Sequence, residues 1–232
     1  VSALSGLQDT LNSVYLGNNN SYNLSGLFEG VEVVRGDLVI GGTGIYLEPL
    51  KNLRIVGGTL NIQPFYTANL AWLNNLESVG GISINCLNLP NLDGFPKLTR
   101  IDGDLWISNG NLLTNLSGLN QLTYVGTLLL DANPGLVQVT GLNSVDTIGY
   151  INFRDNPALQ QLNGFGQLTT VLSDIWLWNN GQANSFKAFN QLKFVGNEIN
   201  INGSWQAPDL SDFQKLEHVG GNMLIASAYN LT

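Results

Sequence analysis

Few side chains in this sequence could perform nucleophilic or redox chemistry. The chain of 232 residues has one cysteine, Cys86, and one histidine, His218. A cysteine nucleophile needs a neighbouring base, but about six repeats of the pattern described below separate the two residues, or roughly 25 Å at the spacing of stacked strands. One cysteine also cannot form an intrachain disulfide. We therefore interpret Cys86 as a small, partly buried structural residue.

The carboxylates offer a second chemistry. An enzyme acting on polysaccharides needs carboxylates that converge with a basic residue in a groove. Near Arg100 and Arg154 lie several aspartates: Asp102, Asp104, Asp131, Asp155 and Asp174. Such aspartates usually accept hydrogen bonds from backbone amides of turns, and no acidic loop typical of calcium sites is present. We expect no catalytic residue, no metal and no cofactor; calcium at Asp102 and Asp104 is the alternative.

These residues belong to a phrase that recurs along the whole chain, L-x-G-L-x-x-L-x-x-V-G-G-x-L-x-I-x-x-N. One apolar position of the phrase, in its second half, recurs at spacings of 22 to 24 residues. A second apolar position, before the glycines, recurs with the same period. A fixed period of this length predicts a solenoid, whose coils bury their apolar faces by stacking. The columns are Ile40, Ile62, Ile84, Ile107, Leu130, Phe153, Leu177, Ile201 and Ile225, and Val34, Val56, Val79, Ile101, Val125, Ile148, Val171, Val195 and Val219.

Each coil is predicted to contain a strand, a tight turn, a second strand and a return segment. Around residues 98–110, apolar and polar residues alternate with the period of a half-buried strand. The glycine pairs at 57–58, 80–81 and 220–221 suit a bend that requires positive φ or close backbone approach. Residues 116–122 have apolar side chains at intervals of three, which predicts a 3₁₀-like return. We expect one all-β solenoid domain over residues 1–232, with about ten coils: a degenerate first coil at 1–23 and nine coils at 24–232.

The outward positions of the second strand are the candidate binding residues, because the inward positions are committed to the core. Three of the five tryptophans occupy outward columns, and exposed tryptophan marks binding surfaces. Indole rings beside amides and charged groups suit a sugar or a protein partner. Alternatively, loops cover this face and bury the tryptophans. The predicted site comprises Trp106, Leu129, Asn152, Arg154, Trp176, Trp178 and Asn200, with Asp131 beside them.

Composition limits the classes of partner. The net charge is −8, and only nine lysines and arginines are present, whereas nucleic-acid binding depends on basic residues that neutralise phosphates. No apolar run is long enough to span a bilayer. We therefore expect no nucleic-acid partner and no membrane-spanning segment.

N-glycosylation sequons occur about as often as chance predicts for a chain rich in asparagine and serine. Together with the acidic balance and the low lysine content, they favour an extracellular or cell-surface location for a secreted protein. The sequons are at Asn19, Asn23, Asn115, Asn202 and Asn230.

The phrase, seen most cleanly at 92–113 and 116–136, resembles the leucine-rich coils of the receptor L-domain superfamily. It is also similar to coils of fungal cell-wall proteins of the Ecm33 type and of other surface proteins. The resemblance covers essentially the whole chain and implies a right-handed β-solenoid outside the cell, without catalysis. It specifies no ligand, and the cysteine-bearing caps of receptor L domains are absent from this sequence.

The last repeat keeps its apolar residues, including Val219 and Met223, up to the end of the sequence. Counting from Ile225 through the C-terminus to Leu16 gives 7 plus 16, or 23 residues, which is one period. Head-to-tail stacking of copies would form a filament, because the contact does not close. A segment of a longer solenoid and a monomer with unrecognised caps are the alternatives.

Two functions follow as expectations. The first is a non-catalytic extracellular structural protein that associates with itself end to end into a filament or surface layer. The second is the ligand-binding or adhesive ectodomain of a receptor or adhesin, which recognises a glycan or a protein through the tryptophan-bearing face.

Overall fold

The computed structural model describes residues 10–17, 28–42, 48–63, 69–85, 87–181, 186–203 and 210–226. In these residues the chain forms a parallel β-solenoid with almost no helix, which confirms the predicted fold class. The strands are β1 (Thr10–Leu11), β2 (Val14–Leu16), β3 (Val33–Val34), β4 (Leu38–Ile40), β5 (Ile55–Ile62), β6 (Ser78–Asn85), β7 (Arg100–Ser108), β8 (Tyr124–Asp131), β9 (Gln138–Val139), β10 (Thr147–Arg154), β11 (Gln161–Leu162), β12 (Thr170–Val171), β13 (Ile175–Trp178), β14 (Phe194–Val195), β15 (Ile199–Asn202), β16 (His218–Val219) and β17 (Met223–Ala226).

Fifteen of these strands form one parallel sheet. Its main path passes through β1, β3, β5, β6, β7, β8, β10, β12, β14 and β16, which gives ten rungs. The ten rungs have nine intervals, and the return segment of the first interval lies mostly outside the described residues. In the part of the chain that the structure describes, the solenoid makes about eight turns, slightly fewer than the predicted ten coils.

The register confirms both apolar columns read from the sequence. Val125 pairs with Ile101 and Ile148, and Leu130 pairs with Ile107 and Phe153. These inward side chains are essentially inaccessible to solvent. The period of the sequence is therefore the period of the sheet.

The predicted tight turn between the two strands is wrong for the central rungs. In β5, β6, β7, β8 and β10, the strand continues without a break through the glycine position. The register shifts three times there, for example between Val56 and Thr59, because adjacent rungs differ by one residue in length. These rungs bend through β-bulges, which insert a residue while most of the pairing is retained.

The glycines at this bend are required by close backbone approach. None of the glycines in the three predicted pairs has positive φ. A Cβ atom on Gly103 would lie 2.7 Å from the carbonyl oxygen of Gly80, and one on Gly126 would overlap the carbonyl oxygen of Asp102. Any larger residue would separate two rungs that the rest of the sheet holds together.

A second constraint lies at the corner that follows each second strand. Four residues at equivalent positions adopt positive φ: Asn109, Ala132, Asp155 and Asn179. Cys86 aligns with them in sequence but lies outside the described residues. Asparagine and aspartate tolerate this left-handed conformation better than most residues, so the corner explains why small polar residues recur there.

Three fully buried asparagines follow this corner and form a ladder. Asn133 Nδ2 donates to Asn156 Oδ1 at 3.1 Å, and Asn156 Nδ2 donates to Asn180 Oδ1 at 2.8 Å. Each side chain also donates to a backbone carbonyl, as Asn180 does to that of Phe153 at 2.8 Å. A buried amide without partners costs free energy. The hydrogen bonds of the ladder can form only when adjacent coils are in register.

The return side packs in steps of three residues, as predicted. Five 3₁₀ helices occur in the described residues, including Ser117–Leu119 in the segment expected to bend. Phenylalanines of the return side stack from coil to coil, with ring centroids 6.2 Å apart for Phe165 and Phe189 and 5.3 Å apart for Phe189 and Phe213. The core is therefore continuous along the solenoid.

The glycine column generates a stability prediction. We expect Gly126→Ala to lower the free energy of unfolding by about 1–3 kcal/mol, because the added methyl group forces adjacent rungs apart. Gly166→Ala is the matched control, since its Cβ would first meet Asn143 Oδ1 at 3.6 Å, an ordinary contact. Urea unfolding followed by circular dichroism measures both variants. Equal midpoints for the two variants would contradict this account of the bend.

Candidate functional site

The tryptophan-bearing face is formed by the outward columns of the second strands. The register places Trp106, Leu129, Asn152 and Trp176 in one row, each paired with the next along parallel strands. The neighbouring row contains Asp131, Arg154 and Trp178. We call these seven residues the tryptophan face. The strands position them because alternate side chains of a strand point to the same side.

The tryptophans of this face are exposed. Relative exposure is 42% for Trp106, 37% for Trp176 and 41% for Trp178, whereas Trp72 is 4% exposed. Their exposure does not fit the alternative considered from the sequence, in which loops bury the three tryptophans. Trp72 instead packs in the 3₁₀ helix Ala71–Leu73, on the return side.

Two of the indole rings form a continuous aromatic surface. The centroids of Trp176 and Trp178 are 6.3 Å apart, with 28° between the ring planes. Tyr150 packs edge-on against Trp176, at 6.1 Å and 74°. Aromatic rings prefer these offset and edge-to-face arrangements, so the contacts limit the rotation of the two indoles.

Sequence reasoning missed Tyr150. It follows Gly149, at the bend of β10, where two successive residues do not point into the core. The sequence predicts a tight turn at this position, so Tyr150 was not assigned to a strand or to the outward face. Burial raises the pKa of its phenol above the ordinary value, although the amide of Asn152 opposes this shift. Asn152 Nδ2 donates to Tyr150 Oη at 3.1 Å, which fixes the orientation of that amide.

The charged pair of the face has its guanidinium and carboxylate in register on adjacent strands. Arg154 Nε and Nη2 donate to the two carboxylate oxygens of Asp131, at 3.0 and 3.1 Å. This hydrogen bonding, together with the charges of Asp131 and Asp155, raises the pKa of Arg154 above its ordinary value. The guanidinium therefore stays protonated, and its charge is offset by its neighbours.

A shallow depression of about 150 Å³ lies in this face. It is lined by Trp106, Leu129, Asp131, Asn152 and Arg154. Asn200, predicted as part of the site, continues the first row beside Trp176 but does not line the depression: it is only 9% exposed, and its Nδ2 donates to Glu198 Oε1 at 2.9 Å. The structure thus brings all seven predicted residues into the two outward rows, leaves six of them at least partly exposed, and places four around the depression.

Two of the carboxylates considered for catalysis have close polar partners outside the tryptophan face. Asp102 forms an ion pair with Arg100 at 2.6 Å, and Asp174 accepts hydrogen bonds from Asn197 Nδ2 at 2.7 Å and from the Glu198 amide at 3.0 Å. Within the described residues, no group of three His, Cys, Asp or Glu side chains could hold a metal ion. His218 stacks on Phe194, with centroids 4.8 Å apart.

The glycosylation sequons lie on different sides of the solenoid. Asn202 pairs with Trp178 in the outward row of the face. Asn115 lies before a return helix, where its Oδ1 accepts a hydrogen bond from the Ser117 amide at 2.9 Å. Asn19, Asn23 and Asn230 lie outside the described residues. No helix in the described ranges is long and apolar enough to cross a bilayer.

Because Trp72 is buried and Trp106 is exposed, replacing each with alanine should lower the free energy of unfolding by different amounts. We expect Trp72→Ala to lower the free energy of unfolding by about 3–5 kcal/mol, because it leaves a cavity in the core. Trp106→Ala is expected to cost less than about 1 kcal/mol, as for most surface substitutions. Urea unfolding of the two variants tests this difference. A large loss for Trp106→Ala would show that its exposed ring supports the fold.

Comparison with known proteins identifies no matching family model, no matching curated protein and no matching solved structure.

Proposed function

We propose that this protein is a non-catalytic extracellular scaffold that binds carbohydrate through the tryptophan face. The observation that carries the proposal is the exposure of Trp106, Trp176 and Trp178 on one face of a continuous sheet. Exposed aromatic rings of this size lose free energy in water unless a ligand covers them. The tyrosine contact with Trp176 further supports binding, because an ordered ring costs less entropy when a ligand docks.

Carbohydrate fits this face better than a protein partner does. The aromatic rings alternate with an amide and an ion pair along the rungs, so the apolar area is interrupted by polar groups. Protein interfaces have apolar centres with polar groups at the rim. A sugar presents C–H groups on its ring faces and hydroxyl groups at its edges, which matches indole surfaces flanked by Asn152, Asp131 and Arg154.

The non-catalytic part of the proposal is supported by the state of the carboxylates. Hydrolysis of a glycosidic bond requires two carboxyl groups on opposite sides of the bond. In the tryptophan face, Asp131 is held in a two-point contact by Arg154. The neighbouring Asp155 accepts from Asn179 Nδ2 at 2.7 Å and lies 3.5 Å from Arg154 Nε.

We also propose that the protein is extracellular and that its coils are related to leucine-rich coils. The repeated phrase, its apolar columns and its 3₁₀ returns support a resemblance to receptor L-domain coils. The sequons at Asn115 and Asn202 lie in described segments of the chain, and both side chains are partly exposed. A glycoprotein that displays an adhesive face outside the cell is consistent with these features.

A glycan array tests the proposed function. We expect the wild-type protein to bind one class of glycans and Trp176→Ala to weaken that binding at least about tenfold, equivalent to about 1.4 kcal/mol. Leu112→Ala is the matched control, because Leu112 is 53% exposed and does not belong to the tryptophan face. If no glycan binds, or if Trp176→Ala binds like the wild-type protein, the proposed function is wrong.

A second candidate function, self-association, rests on the last described rung. Met223 pairs with the fully buried Ile199 and belongs to the inward column, yet it is 41% exposed. Leu216, Val219 and Ile225 are also only partly buried. An apolar coil surface of this kind suits another coil stacked on it. Where that coil belongs to a second copy, head-to-tail contacts would produce a filament or surface layer.

Size-exclusion chromatography with negative-stain imaging tests this association. We expect rod-shaped assemblies at high protein concentration, and we expect Met223→Arg to disperse them by placing a charge in the stacked surface. Leu112→Arg introduces the same charge away from the rung and should leave the assemblies intact. A monodisperse species of 25.1 kDa for the wild-type protein would contradict self-association.

A further inference from the structure

We propose that the carbohydrate bound by the tryptophan face is a neutral, β-1,4-linked hexose chain that lies along the solenoid axis. On this assignment, the chain spans from Trp106 to the Trp176–Trp178 pair. The inference rests on the proposed carbohydrate-binding function and adds the length, linkage and direction of the ligand. It follows from the spacing of the aromatic rings, the polar groups between them and the charge of the face.

The spacing of the rings indicates a ligand of several sugar units. Trp106 pairs with Leu129, Leu129 with Asn152, and Asn152 with Trp176, so three rung steps separate the two tryptophans. At the usual separation of hydrogen-bonded strands, three steps are about 14 Å, which is about the length of three linked hexose rings. A chain of about four rings therefore reaches from one aromatic platform to the other.

The surface between the platforms can hold the middle of such a chain. The depression beside Trp106, about 150 Å³ in volume, has Leu129, Asn152 and the Asp131–Arg154 pair in its lining. Amide, carboxylate and guanidinium groups are the side chains that hydrogen-bond well to hydroxyl groups. The lining of the depression thus combines apolar and polar side chains.

The second platform is ordered before any ligand arrives. Trp176 and Trp178 stack on each other, and the edge of Tyr150 contacts Trp176. Tyr150 also accepts a hydrogen bond from Asn152, so the platform is connected to the residue beside the depression. This connection orients the amide and the indole together, and pre-organisation of this kind favours affinity.

The charges of the face favour a neutral chain. Arg154 is engaged by both carboxylate oxygens of Asp131 and lies 3.5 Å from Asp155, which offsets its positive charge. The whole chain has a net charge of −8. A polysaccharide rich in carboxylate or sulfate groups would meet repulsion here rather than a free cation.

The shape of the face favours the β-1,4 linkage. The rows run across strands that are paired rung by rung, so the aromatic platforms share one surface. Equatorial β-1,4 linkages give a straight, ribbon-like chain whose ring faces can contact successive platforms. An α-1,4-linked chain curves, and its rings would leave the surface between Trp106 and Trp176.

Isothermal titration calorimetry with defined oligosaccharides tests the inference. The probes are the disaccharide and hexasaccharide of β-1,4-linked glucose and of β-1,4-linked N-acetylglucosamine, with the α-1,4-linked glucose hexasaccharide for comparison. We expect one β-1,4 hexasaccharide to bind at least about tenfold more tightly than its disaccharide and than the α-linked chain. The α-linked chain binding as tightly as the β-linked chain would overturn the linkage.

Two variants separate the platforms. Trp106→Ala should lower hexasaccharide affinity to that of the disaccharide and leave disaccharide binding at the Trp176–Trp178 pair unchanged. Trp178→Ala should weaken the binding of both oligosaccharides, and Leu112→Ala should weaken the binding of neither.

Equal affinities for the two chain lengths, or hexasaccharide binding unaffected by Trp106→Ala, would overturn the spanning chain while leaving carbohydrate binding in place. Failure of both β-1,4 hexasaccharides to bind, when the array still shows a glycan that depends on Trp176, would overturn the assignment of chain chemistry alone.

Discussion

The close stacking of one coil on the next is the constraint on which the rest of this structure depends. At the bend of each central rung, a glycine lies against the carbonyl oxygen of the rung before it, as Gly103 does against Gly80. At the corner, the asparagine ladder joins the coils of β8, β10 and β13 through buried amides. Both features require a uniform rung separation, and neither leaves room for a coil that is out of register.

This constraint explains how residues far apart in sequence become neighbours on the surface. Arg154 and Asp131 are 23 residues apart, yet their side chains make a two-point contact because their strands are paired in register. The same holds for Arg54, which binds Glu77 at 2.8 Å and Glu32 at 3.4 Å across adjacent rungs. Hydrogen bonding to Arg54 accordingly lowers the pKa of Glu77. A polar row on this fold is therefore a row of coupled partners rather than of isolated groups.

The sequence predicted the columns of the sheet well, because each column repeats one residue type at nearly fixed spacing. It identified the outward position of Trp106 and Trp176 for the same reason. It did not predict that β10 continues through Gly149, since a bulge and a tight turn both favour glycine. It also could not show that Asn200 is covered, because the burial of an outward residue depends on the side chains of the neighbouring rungs.

The regular rung also limits what the face can recognise. Along the solenoid axis, outward side chains are separated by whole multiples of the strand separation. Two residues of the same row therefore cannot move closer together without breaking the hydrogen bonds of the sheet. A ligand with its own regular repeat can meet several such positions at once, whereas an irregular ligand meets few of them. Trp106 and Trp176 are each flanked in their strands by inward residues that are fully buried in the core. Selectivity for a repeating ligand thus follows from the same stacking that forms the core.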